Sequence, residues 1–185
     1  MKKYFLCPMG IICLLLTGSC MVSKNDATRI AMKQNKEKLS KQMRCDAGFA
    51  VCAYDAGVME VKVSEYAQAN ASSEKVKSLA QTMVRDHSKM NMELDALAAR
   101  KNITLPSKLS DCSQKKYDWM TKKRGKDLDK MYLRCLKKSH RKAICHFKHE
   151  AKRGKDGEMK SWAASQVPRL EEHRDLVKKT CEEVK

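Results

Sequence analysis

From Phe49 onward the apolar residues recur every three or four positions, in four stretches each several helical turns long. The first row is Phe49, Ala53, Ala56, Glu60, Val63 and Ala67; the second is Val76, Ala80, Met83, His87, Met90, Leu94 and Leu97. Leu128, Tyr132, Leu136, His140, Ala143, Phe147 and Ala151 make the third, and Met159, Trp162, Gln166, Leu170, His173, Val177 and Cys181 the fourth. Residues so spaced share one face of an α-helix, and no stretch alternates as a half-buried strand would. The breaks carry turn chemistry: A-N-A-S-S, where Ser73 can cap the second helix, N-I-T-L-P-S with Pro106, and R-G-K-D-G. Ser110 to Lys122 predicts a short helix before Gly125, and Pro168 is expected to bend the last long one. Amphipathic rods joined by short breaks bury their apolar faces on one another. The predicted fold class is therefore all-α, a four-helix bundle with a short extra helix between the second and third long helices.

Each row carries one ionisable residue where another Leu would serve: Glu60, His87, His140 and His173. Each lies about ten to fifteen residues into its helix, so antiparallel packing should bring them to one level of the core. A carboxylate facing three imidazoles is a donor set for one divalent metal ion, iron, zinc or manganese, and a bundle supplies such ligands from facing helices. The same residues also suit a hydrogen-bonded cluster without an ion, since a buried carboxylate needs some partner. His146 and His149 form another pair one turn apart, beside Cys145 and Glu150, but Lys142, Lys148 and Lys152 around them oppose a cation. No G-x-S-x-G, phosphate loop or H-E-x-x-H occurs.

The first twenty residues have a different logic. Lys2 and Lys3 precede an apolar run from Leu6 to Leu16, and L-T-G-S-C ends it with small residues before Cys20. About ten apolar residues are too few to span a bilayer, so residues 1–19 read as a cleaved export signal. A Cys at that point is similar to the bacterial lipobox, in which the thiol is acylated and becomes the mature N-terminus. Lipid at Cys20 would hold the protein on a membrane without a transmembrane helix. Residues 21–45 are polar and basic and read as a tether between lipid and domain that could be helical in part.

Net charge is +17, of which Lys2 and Lys3 supply only two units. The stretch from Lys115 to Arg153 holds fifteen Lys or Arg against Asp118, Asp127, Asp129 and Glu150. Such a face is read first as a solvated surface, and it could also attract anionic lipid, lipopolysaccharide or other polyanions. Nucleic acid is not expected as a partner, because the chain reads as exported and no binding motif occurs. Besides Cys20 the exported chain keeps Cys45, Cys52, Cys112, Cys135, Cys145 and Cys181. An even number in an oxidising compartment leads to an expectation of disulfides, with the pairing open.

The motifs G-V-M-E-V at Gly57, L-A-Q-T-M-V-R-D-H-S-K-M-N-M-E-L at Leu79, I-T-L-P, H-E-A-K-R-G-K-D at His149 and V-P-R-L-E-E-H at Val167 have a family resemblance. From about Phe49 to Lys179 the chain resembles bacterial exported proteins with the domain of unknown function 4142, in the ferritin-like superfamily. The resemblance implies a ferritin-like bundle over 46–185, with the family's recurring Glu and His at Glu60, His87, His140 and His173. It also implies an Asp-His pair at Asp86 and His87, whereas Ser139 stands where a second Asp would precede His140. A di-iron oxidase needs Glu three residues before His on two helices, and Val84, Lys137 and Leu170 occupy those places. The leading expectation is a lipid-anchored envelope protein, facing the periplasm or outer surface, whose bundle is a binding or structural module rather than an enzyme. A metal-dependent redox or detoxification enzyme, and a polyanion-binding envelope protein, are the alternatives.

Overall fold

The computed structural model describes Ser23 and residues 25–184; the signal segment 1–19 and Cys20 lie outside the described residues. Six helices form among the described residues: α1 Ala27–Lys38, α2 Met43–Asn70, α3 Glu74–Arg100, α4 Asp111–Met120, α5 Gly125–Arg153 and α6 Gly157–Glu183. No strand occurs among the described residues, although Ala71 and Gly125 make an isolated bridge. Three-residue turns join α2 to α3 and α5 to α6, so each pair runs antiparallel, and the two hairpins meet through α2 on α5 and α3 on α6. The result is the all-α bundle that the apolar rows predict.

The α3 row is buried from Val76 to Leu97, as its spacing requires. On α2 the expected row shifts: Ala56 is exposed, whereas Ala50, Val51, Gly57 and Met59 are buried. The cause is that α2 meets α1, α3, α4 and α5, so its covered surface is wider than one stripe. Gly57 leaves room there for Asn91 of α3, whose carboxamide oxygen would lie 2.1 Å from a Cβ and would have to turn away. Helix α6 continues through Pro168.

Residues 21–45 are not tether throughout. Helix α1 docks on α2 with Ala27, Ala31 and Asn35 buried, and Asn35 exchanges two hydrogen bonds with the Thr104 backbone, at 2.8 and 2.7 Å. Its contact is made by small and polar residues, which leave no apolar period to read. The expected disulfides are also corrected. No disulfide joins Cys45, Cys52, Cys112, Cys135, Cys145 and Cys181, of which Cys45, Cys112 and Cys145 are exposed. They are spread over α2, α4, α5 and α6, and a bridge needs Cβ atoms about 4 Å apart.

Aspartates of this basic chain hold its connections. Asp129 of α5 accepts from the Ser72 and Ser73 amides, both at 3.0 Å, and from the Ser72 hydroxyl at 2.6 Å. Asp46 of α2 accepts from the amides of Lys155 and Asp156, and Asp55 of α2 from the Ser110 amide and the Ser110 and Ser113 hydroxyls. Asp26 caps α1 and accepts from the Asp111 amide at 2.8 Å. Carboxylates at helix N-termini satisfy donors that the helix leaves open, and they complement its dipole.

Candidate metal centre

Between the large apolar cluster of Met83, Leu136 and Val177 and a smaller one of Met90, Ile144 and Leu170, the core is interrupted by a polar layer. The interruption follows from sequence register. His87 lies between Met83 and Met90 on α3, His140 between Leu136 and Ile144 on α5, and His173 between Leu170 and Val177 on α6. Glu60 joins them from α2, and all four residues are at most 5 % exposed. The structure thus brings together the four side chains that the rows single out. The imidazole centroids are 5.2 to 5.5 Å apart.

Hydrogen bonds fix where two of the lone pairs point. His140 Nδ1 is 3.0 Å from the Leu136 carbonyl, which can only accept, so Nδ1 carries the proton and Nε2 the lone pair. His173 Nε2 is 2.9 Å from Asp86 Oδ2, so Nε2–H donates and Nδ1 carries the lone pair. These two lone-pair nitrogens face each other at 3.3 Å. Glu60 Oε1 lies 3.3 Å from His140 Nε2 and 3.3 Å from His87 Nε2. Despite that proximity, Glu60 Oε1 and His87 Nε2 are buried without a hydrogen bond. Two lone pairs that face each other, beside two buried polar atoms without a hydrogen bond, suit a cation better than a hydrogen-bonded cluster. For metal bonds of about 2.0–2.1 Å, the edge of a ligand tetrahedron is about 3.3 Å. The three histidines offer ligand atoms within 4.8 Å of one another, so the widest pair must close somewhat around an ion.

Protonation states favour the same role. Burial pushes the His87 imidazole below its ordinary value, with His140 adding to the effect and Glu60 opposing it. Burial also lowers His173, to about 4, against the Asp86 carboxylate and with repulsion from His87 and His140. Both rings are therefore neutral at pH 7 and free to donate to a metal. Burial pushes the Glu60 carboxyl up, but His140, His87 and the Ser139 hydroxyl outweigh it and hold the group low. For Asp86 burial acts upward too, and hydrogen bonds from Arg85 and His173 hold it well below the usual carboxylate range.

Asp86 is the orienting group behind His173, and it is itself held by Arg85 Nε at 2.8 Å and Arg169 Nη1 at 3.3 Å. The sequence marks Asp86 through its place before His87. Arg169 was not foreseen, and its position four residues before His173 was the available signal. Ser64 and Tyr132 form a buried 2.7 Å hydrogen bond, and both are also new; Ser64 follows Glu60 by one helical turn on the same face. His146 and His149 are exposed and stay outside the layer.

The sequence profile of a family described as Domain of unknown function (DUF4142) matches residues 30–180. The chain belongs to the DUF4142 family. Comparison with curated proteins and with solved structures returns no match. The DUF4142 match reaches from within α1 to within α6, so it takes in the docked first helix as well as the layer.

Proposed function

We propose that this DUF4142 protein is an exported lipoprotein of the bacterial envelope whose bundle holds one divalent metal ion, zinc, iron or manganese, through Glu60, His87, His140 and His173. The observation that carries the reading is the facing pair of His140 Nε2 and His173 Nδ1 at 3.3 Å, with the unpaired Glu60 Oε1 and His87 Nε2 beside it. Four protein ligands in a closed layer suit a structural ion, whereas a catalytic metal keeps a position open for substrate. The role is therefore to bind and brace: the ion ties four helices together at mid-height. The export signal, the small residues before Cys20 and the basic mature chain support the envelope location.

The test is elemental analysis of the exported protein after exposure to zinc, iron and manganese and exhaustive dialysis. One ion per chain is expected in the wild type and none above trace in H140A, with circular dichroism recording whether the variant stays helical. Wild-type protein without bound metal would remove the proposal. Retention of the ion by H140A would move the site elsewhere.

A further inference from the structure

Four large apolar side chains are exposed among the described residues, and three of them are Ile30, Met32 and Trp119, at 43, 39 and 51 %. Ile30 and Met32 belong to α1 and Trp119 to α4. The two helices start side by side: Ser23 N donates to Asp111 Oδ2 at 3.2 Å, and Asp111 N donates to Asp26 Oδ2 at 2.8 Å. Both therefore begin where the chain arrives from Cys20. The three residues from Cys20 to Ser23 span at most about 10 Å. Trp119 lies eight residues along α4, about 12 Å from Asp111, and Ile30 and Met32 lie within about 8 Å of the start of α1 along its axis.

The charges around them have one sign in excess. On α1, Arg29, Lys33 and Lys36 form an exposed row at four- and three-residue spacing, flanked by Ile30 and Met32, and Glu37 is the helix's acid. On α4 the exposed row is Cys112, Lys115, Lys116 and Trp119, and exposed Lys122 and Arg124 follow it against Asp111 and Asp118. Apolar side chains bordered by cations are the composition of an interfacial surface, where tryptophan favours the headgroup level and each cation near anionic lipid contributes.

We infer that the α1–α4 face rests on the anionic membrane surface that carries the Cys20 lipid, with Trp119 entering the headgroup layer and Ile30 and Met32 at the two borders of the α1 cation row. The inference rests on the lipid-anchor reading of Cys20. The anchor makes this second contact intramolecular, so a surface too weak to bind vesicles alone suffices to orient the domain. The oriented domain lies with the side formed by α1 and α4 toward the bilayer.

The experiment uses the full exported protein in vesicles of phosphatidylcholine with a minor share of phosphatidylglycerol, part of the phosphatidylcholine being brominated high on its acyl chains. The chain has two tryptophans, so W162F leaves Trp119 as the reporter and W119F leaves Trp162. Quenching of Trp119 but not of Trp162, weakened by K33E with K36E and by raising salt until the Debye length falls to about 3 Å, supports the inference. Mass measurement of the mature N-terminal peptide reads the anchor separately. Acylated Cys20 with unquenched Trp119 overturns the docking face and leaves the anchor standing. If Cys20 carries no lipid, the anchor reading fails; quenching by added vesicles then keeps the face, and its absence overturns both.

Discussion

Asp86 hydrogen-bonds His173, and that bond decides which nitrogen of the ring faces inward. D86N removes the charge that holds the tautomer, and metal affinity should fall by about 10–100-fold, with the helical content unchanged. Calorimetric titration of the variant beside the wild type checks this. Proton competition gives a second signature. Because burial holds His173 near 4 rather than the ordinary 6.5, protons should begin to compete for its Nδ1 only below about pH 5, which the pH dependence of its ring signals in NMR checks. A His173 ring that titrates near 6.5 would be more exposed to water than this one. The ligands were legible in the sequence because each breaks an apolar row. Their orienting partners were less so, because a contact such as Arg169 to Asp86 depends on the register between α6 and α3, which neither helix encodes alone.

Connections between the helices rely on buried acids, and two of these acids behave differently. Asp129 gathers three hydrogen bonds from the α2–α3 turn, and D129A should cost about 2–4 kcal/mol, measurable by denaturant melts, because the turn amides lose charged acceptors. Glu150, near the end of α5, sits against Asp46 and Asp156 with Lys160 as the opposing charge. Burial first, and then the Asp46 charge, push its carboxyl up from 4.5 to about 7. Its proton is thus bound more tightly in the folded state, so its contribution is complete below about pH 4.5 and is lost as pH rises through about 7. E150Q fixes the neutral form. It should match the wild type near pH 4.5 and exceed it by up to about 3 kcal/mol at pH 8, in melts run across that range. The long helices could be read from their periods to within a few residues, except that α2 starts at Met43, before its first strong apolar position. Helix α1 could not, since Ala27, Ala31 and Asn35 bury little apolar surface and the helix depends on its tie to Thr104.

For the whole molecule, the bundle joins two helical hairpins around a layer in which Glu60 Oε1 and His87 Nε2 have no hydrogen-bond partner. An ion at 100 times its dissociation constant should add about 2.7 kcal/mol to stability, or roughly 5–10 °C in melting temperature for a domain of this size. Calorimetry with and without chelator reads that shift, which should vanish in H140A. Lone pairs from α2, α3, α5 and α6 should converge on one ion. Crystals of the protein grown with zinc and measured on both sides of the zinc absorption edge test it directly. An anomalous peak about 2.0–2.2 Å from His87 Nε2, His140 Nε2, His173 Nδ1 and a Glu60 oxygen is the expected result. A fully occupied zinc elsewhere with this layer empty, or Glu60 hydrogen-bonded to protonated imidazoles in its place, would contradict it.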